Sequence, residues 1–267
     1  MAVIICDVTA RFDTVIVVDW SARSRPAPLR PSRDAIWWSV NGREPRYERT
    51  RQDLESRLTD LLSQAKGSTL VGFDFSFSYP RWFLDALRLD WRALWALLER
   101  AIEDQPHANN RFAVAASLNR RATGAAAPFW GASSELPFLP RRKPHIPHPE
   151  LRPCELRFHP RPKSAFQLLG AGSVGSQTLL GIPVLERLRR CFGPRLAVWP
   201  FEPPSAPIVL AEIYPSCLPR ALWSGQPIPD REQVRHLAAA LLAPLDLSPL
   251  PGSADEGGVL LPPATLP

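Results

Sequence analysis

The chain has 267 residues, 45% of them hydrophobic and 22% charged. That balance supplies a core and excludes wholesale disorder, a fibrous repeat and a coiled coil; no apolar run approaches the ~18 residues of a membrane span. The net charge is +6 and there are 31 prolines, a share well above the ~5% of an ordinary chain; proline lacks an N–H and fixes φ, so helices are kept short.

A basic balance favours polyanionic partners. Of the 32 basic residues all but Lys66, Lys143 and Lys163 are arginine. An excess of alanine, arginine and proline also arises from a GC-rich coding sequence, so charge alone assigns no nucleic-acid groove. The four cysteines, Cys6, Cys154, Cys191 and Cys217, form no C-x-x-C pair and read as reduced thiols. The N-terminus lacks a charged region followed by an apolar stretch and a cleavage site. The expectation is a soluble, cytoplasmic protein with no membrane partner.

In chain order, Thr14–Asp19 (TVIVVD) is a β-branched run without alternation, which suits a strand buried on both faces. Residues 23–34 (RSRPAPLRPSRD) read as a polar loop. Residues 35–40 read as a second strand, Asn41-Gly42 as a hairpin turn, and residues 46–50 as the returning third strand. Residues 53–65 have helical spacing, and Thr69–Phe73 is another buried strand ending at Asp74. Residues 82–103 predict one helix. Residues 106–162 carry frequent turn residues and no long periodic segment, so they read as a long loop. Residues 179–190 resume a helix, broken near its start by Gly181 and Pro183. Leu196–Trp199 and Ile208–Ile213 are strand candidates, and residues 230–242 are a helix flanked by Pro229 and Pro244. The tail from Ser248 is rich in proline and glycine.

Three acids sit at strand ends: Asp19 in VIVVDWSA, Asp74 in LVGFDFSFSYP and Glu212 in IVLAEIYP. An acid in an apolar strand is costly unless it is paired or binds a metal. Acids on neighbouring strand ends meet at one edge of the sheet, where open α/β sheets place their sites. Clustered carboxylates need a cation, and oxygen ligands suit Mg²⁺ or Mn²⁺. The alternative is that each acid caps a loop or pairs with one of the many arginines.

Gly170-Ala171-Gly172-Ser173-Val174-Gly175 spells G-x-G-x-x-G, but residues 165–169 are a poor strand and no acid follows at the required distance, which argues against a dinucleotide fingerprint. Gly172, Ser173 and Lys163 could instead present N–H groups and a charge to a phosphate, with Ser21 behind Asp19. His145, His148, Cys154 and His159 share one loop without the close pairs of a zinc site. Most tryptophans lie at core spacing. Phe129 and Trp130, near Arg141, Arg142 and Lys143, either stack a base or pack a lid.

Strand, hairpin, strand, helix, strand with an acid on the first strand resembles the ribonuclease-H fold. The segments VIVVDWSA, VGFDFSFSYP, LRPCE, KSAFQLLGAGSVGSQTLLGIPVLERLR and AEIYPS resemble an uncharacterised bacterial family of predicted RNase-H-like nucleases, some relatives of which carry a label for molybdopterin guanine dinucleotide synthesis. The resemblance covers residues 14–217. It implies an α/β protein in one domain, an RNase-H-like mixed sheet flanked by helices, with its core at residues 14–80 and 205–245, a proline-rich insertion over residues 80–205 and a flexible tail from residue 246. It implies a site from Asp19, Asp74 and Glu212, holding Mg²⁺ or Mn²⁺, with Glu155 as a fourth acid and Arg152 as its partner. The substrate implied is a phosphate ester of a nucleic acid or nucleotide. Such nucleases usually add an acid from the last helix; here Asp230 lies only at its start, and Asp255 and Glu256 in the tail are the substitutes. Two other readings stand beside this one. A sugar-kinase- or actin-like phosphotransferase would need a glycine turn where Trp20-Ser21-Ala22 follows Asp19; a non-catalytic nucleotide- or nucleic-acid-binding module would need no acids.

Overall fold

A computed structural model describes residues 9–159, 161–170, 172–248 and 255–263. In chain order the principal elements are β1 (Thr14–Asp19), β2 (Ile36–Val40), β3 (Arg46–Glu48), α1 (Arg51–Gln64), β4 (Thr69–Phe73), α2 (Arg81–Leu87), α3 (Trp91–Ala101), α4 (Arg111–Thr123), α5 (Gly175–Phe192), β5 (Leu196–Trp199), β6 (Ile208–Ile213), α6 (Pro229–Ala240) and β7 (Val259–Leu260). The chain divides into two compact units: residues 1–74, 188–253 and 258–267 in the first, residues 75–187 and 254–257 in the second.

The first unit is an α/β layer structure around a mixed seven-stranded sheet. Its order is β7-β6-β4-β1-β2-β3, with β5 also on β6. The β1–β2–β3 meander is antiparallel, whereas β1, β4, β6 and the two short strands β5 and β7 run parallel. Val15, Ile16, Val17 and Val18 are all buried, as an unalternating apolar run requires when both faces are covered. The hairpin turns on Asn41 (φ 52°) and Gly42 (φ 69°), the left-handed pair that matches strand twist. Asn41 Oδ1 also accepts the Val15 N–H at 2.6 Å. Thr50 caps α1 by accepting the Asp53 N–H at 3.1 Å, and Leu54, Leu58 and Leu62 form its buried stripe. On one face, Val234, Leu237 and Ala238 of α6, with Leu241 just after it, pack on Val15, Val17, Leu70, Val209 and Ala211. The outer edge of β6 is shared: β5 pairs with Ile208, Val209, Leu210 and Ala211, and β7 with Glu212 and Ile213.

The second unit is helical and irregular. Residues 82–103 do not make one helix. Arg88 adopts a left-handed conformation (φ 57°) at the end of α2, and Asp90 then starts α3 by accepting the Ala93 N–H at 2.7 Å, so the apolar periodicity bridges a break. The expected loop over residues 106–162 contains α4, which ends on the left-handed Gly124; its alanine-rich stripe carries little contrast between faces. The described residues of 125–174 form turns, bends and one 3-10 turn at Pro153–Glu155, held by side chains. Asn119, fully buried, donates to the carbonyls of Phe129 (2.9 Å) and Phe138 (2.7 Å) and accepts the Phe129 N–H (2.7 Å). Tyr79, Phe83, Phe129 and Phe166 form an aromatic cluster with ring centroids 5.1–5.6 Å apart; Phe129 is packing, not a stacking platform. α5 runs unbroken through Gly181 and Pro183. Gly181 is required there by packing, because a Cβ would fall 2.2 Å from Phe75 Cζ.

Candidate functional site

The site is built on two adjacent strand ends of the first unit. Val18 of β1 is in register with Phe73 of β4, so the next residues, Asp19 and Asp74, lie side by side. Successive side chains alternate between faces, which turns both acids to the face that carries Val15, Val17 and α6. Their carboxyls stand within hydrogen-bonding reach of one another, and the Trp20 N–H donates to Asp74 Oδ1 at 2.7 Å. Both side chains keep part of their surface in water.

Two touching carboxylates in a partly dry setting do not both ionise. Burial and then the Asp74 charge push the Asp19 carboxyl well above the usual range, with Asp230 and Asp34 adding to the rise. Burial lifts Asp74 to about 6, against the lowering by its bonds to Asp19 and to the Trp20 N–H. The pair therefore holds a proton on the Asp19 side. Acids in such a state are the usual sign of a chemical site or of a missing cation.

A third acid comes from the last helix. Asp230 is the second residue of α6, where the helix dipole favours negative charge. Its field acts on both Asp19 and Asp74. Burial raises its own pKa, Asp34 adds to the rise, and the Asp34 backbone N–H and the nearby Arg33 charge oppose it. Asp34 is exposed and left-handed (φ 55°). Beside this helix start lies a cavity of about 420 Å³ lined by Trp37, Tyr47, Ile228 and Arg231 among others, within the size range of small-ligand sites. Asp230 was legible in sequence: a Pro-Asp pair opening a helix after a loop puts an acid at the helix end. Its position at the start of the helix had turned attention to Asp255 and Glu256. Those two belong to the second unit, where the Asp255 carboxylate pairs with Arg81 and Glu256 accepts the Arg81 N–H at 2.7 Å.

Glu212 does not join the pair. It is in register with Phe73, not Asp74, so strand alternation sends it to the opposite face from Asp19; its place one residue before the strand's end decides this. Glu155 lies in the second unit, locked to its own arginine: Arg152 Nη2 reaches Glu155 Oε1 at 3.0 Å, the Arg152 N–H reaches Oε2 at 2.7 Å, and Ser76 bonds to Oε1 at 3.4 Å. Arg152 Nη1 also donates to the Glu256 carbonyl at 2.9 Å. Ser21 Oγ donates to the Asp34 carbonyl at 2.9 Å and so shapes the rim of the site. Gly172 (φ 69°) and Ser173 sit in a turn closed by the Ser173 N–H to the Gly170 carbonyl at 3.1 Å. Lys163 is exposed beside Gly172. No strand precedes this turn, only an isolated bridge from Gln167 to Trp130, so the glycines do not form a strand–turn–helix dinucleotide site.

Among the described residues, no three His, Cys, Asp or Glu side chains form a ready-made metal-holding group. His148 stacks on Trp82 with centroids 4.4 Å apart, and Cys154, Cys191 and Cys217 form no disulfide among the described residues; Cys6 lies outside the described residues. No helix among the described residues is long and apolar enough to cross a membrane. Comparison of the chain with protein-family models, curated proteins and solved structures returned no match.

Proposed function

We propose that this chain is a divalent-cation-dependent enzyme of RNase-H-like architecture that hydrolyses or transfers a phosphate ester in a nucleic acid or nucleotide. The observation that carries this reading is the side-by-side placement of Asp19 and Asp74 at the ends of adjacent strands, with the Trp20 N–H on Asp74 Oδ1. Two carboxyls so placed repel when both are ionised, and an all-oxygen donor pair suits a hard ion such as Mg²⁺ or Mn²⁺. Asp19 and Asp74 would hold the ion, with Asp230 as third acid. Support also comes from the topology: an antiparallel meander, a parallel strand beside its first member, and a last helix over the acid-bearing face.

When bound, such an ion polarises a phosphoryl oxygen and lowers the pKa of water. The chain's own residues do the rest. The Trp20 N–H donates to Asp74 Oδ1 and so fixes the orientation of that carboxylate beside Asp19. Asp230 adds negative potential that favours the loaded state, and as a carboxylate it can accept a proton from an attacking hydroxyl or water. The cavity lined by Ile228 and Arg231 at the start of α6 has room for part of a substrate, although none of the three acids lines it.

Calorimetry of Mn²⁺ and Mg²⁺ against the full chain at pH 6 and pH 8 tests the reading, run in buffers of different ionisation enthalpy. Binding with proton release, tighter at pH 8, together with Mn²⁺-dependent cleavage of an oligonucleotide that Asp19→Asn abolishes, is the expected outcome. The absence of binding by either ion at both pH values, or cleavage unchanged in Asp19→Asn, overturns it.

A further inference from the structure

We propose that the arginine-rich loop between Asp19 and Asp34 is a clamp for the sugar–phosphate backbone of a nucleic-acid strand, so that the substrate is a polynucleotide and not a single nucleotide. The proposal rests on the carboxylate centre as the place of reaction and adds to it the class of molecule and the surface that holds it.

The loop starts and ends at the acids. Asp19 precedes it, and its far end is Asp34, whose backbone N–H meets the Asp230 carboxylate and whose carbonyl accepts from Ser21 Oγ. Four arginines, Arg23, Arg25, Arg30 and Arg33, stand exposed along it. Elsewhere the basic side chains are often neutralised: Arg57 by Glu48, Lys143 by Glu150, Arg152 by Glu155, and Arg231 and Arg235 by Glu232. Among the described residues none of the ion pairs involves Arg23, Arg25 or Arg30. Arg11, Arg43, Arg46, Arg195 and Arg220 of the same unit are exposed as well; what sets this loop apart is four exposed arginines within eleven residues, on a segment whose two ends are the site residues Asp19 and Asp34.

The charges are also held in place. The Ala27 N–H donates to the Arg49 carbonyl at 2.9 Å and Arg49 Nε returns to the Ala27 carbonyl at 2.7 Å. Buried Arg51 donates to the carbonyls of Ser21 (2.8 Å) and Arg23 (2.9 Å). Tyr47 Oη donates to the Pro28 carbonyl at 2.9 Å, and Trp37 Nε1 to the Ser32 carbonyl at 3.1 Å. Pro26, Pro28 and Pro31 stiffen what lies between. Ordering the loop is thus done on folding, and little of it is left for binding. A single phosphate satisfies one or two guanidiniums. Four of them, spread over eleven residues of fixed backbone, match a repeating anion whose ester bonds cross the centre.

The test is fluorescence anisotropy of a labelled 20-nucleotide single-stranded DNA and its RNA counterpart, in EDTA, across a range of KCl, with anionic lipid vesicles in parallel. Binding in EDTA isolates the clamp from the metal centre, so a failure of the metal reading leaves this result standing. Arg25→Gln with Arg30→Gln is expected to weaken oligonucleotide binding roughly tenfold and to lower the slope of log K against log salt by about 1.4, at ~0.7 per phosphate contact on a single strand. Mn²⁺ binding and the melting curve should not move, since both residues are exposed; Arg25→Glu with Arg30→Glu should weaken binding further. Arg141→Gln with Arg142→Gln, in the second unit, should leave the slope as it is. The proposal is overturned if the oligonucleotide does not bind at low salt, if the loop variants keep the parent's affinity and slope, or if only vesicles bind in a loop-dependent way.

Discussion

Replacing Asp74 by asparagine should make the metal-free protein more stable at pH 8 and reduce the pH dependence of its stability between pH 4.5 and 8, Asp19 keeping the part of its rise that comes from burial. The folded chain holds a proton on the Asp19–Asp74 pair, whereas an unfolded aspartate releases its own near 3.8. The folded state therefore binds more protons over the window from 3.8 to about 6. Stability from this source is fully present below that window and is lost as the pH rises through it. The rise of Asp74 to about 6 corresponds to at most ~3 kcal/mol at about 1.36 kcal/mol per pH unit. The carboxyl keeps some contact with water, so about 1–2 kcal/mol is the expected effect. Asparagine keeps an oxygen for the Trp20 N–H and offers an N–H to Asp19, so the geometry survives while the second charge disappears. Urea unfolding in EDTA, for parent and variant at several pH values, reads the difference; in a melt it amounts to roughly 2–8 °C. The parent should lose stability between pH 5 and 7 while the variant shows a shallower fall, since burial still raises Asp19. A variant less stable than the parent at pH 8, or one with the parent's slope, refutes the shared-proton account.

Asp230→Asn should weaken Mn²⁺ binding by roughly tenfold while leaving the fold intact, because its field acts on both members of the pair; calorimetry checks this, and unchanged affinity would place Asp230 outside the centre. Arg152→Met should cost about 3–5 kcal/mol in urea unfolding, since it strands the buried Glu155 carboxylate. Adding Glu155→Gln should restore part of that loss, and a double variant worse than the single one would contradict a mutual pair. Gly181→Ala should lower the unfolding free energy in urea by ~1–3 kcal/mol, because the new Cβ falls 2.2 Å from the Phe75 ring. The helix-propensity gain of about 1 kcal/mol makes the sign informative, and a raised midpoint would mean that the ring moves freely.

The strands could be read from the sequence because burial on both faces leaves an unambiguous mark: TVIVVD and TLVGF admit no surface strand, and Asn41-Gly42 fixes the turn. The pairing of Asp19 with Asp74 followed from both acids ending such runs. Glu212 was misjudged by a single position. Its run also ends in an acid and an isoleucine, but only the register with Phe73 says which face it occupies, and register is a property of pairs of strands that no single segment contains. Asp230 is hard to assign from sequence because it lies only at the start of the last helix. In the second unit the reading failed where side chains replace periodicity. α4 is framed by Asn110 and Gly124, and the irregular chain after it is held by Asn119, a polar residue whose buried role has no local signature. The break at Arg88 was hidden because leucines and tryptophans continue on both sides of it.

The outer edge of β6 is completed by two tenants from distant parts of the chain, β5 along its first four residues and the two-residue β7 along its last two. A two-rung ladder is the weakest pairing in the sheet, and it lies against Glu212 and Ile213 at the carboxyl end of the strand. A protein shortened before residue 255 would leave those backbone groups bare. Any extended peptide of apolar, alternating character could then dock there as a replacement strand, and self-association of the shortened chain would be the visible symptom.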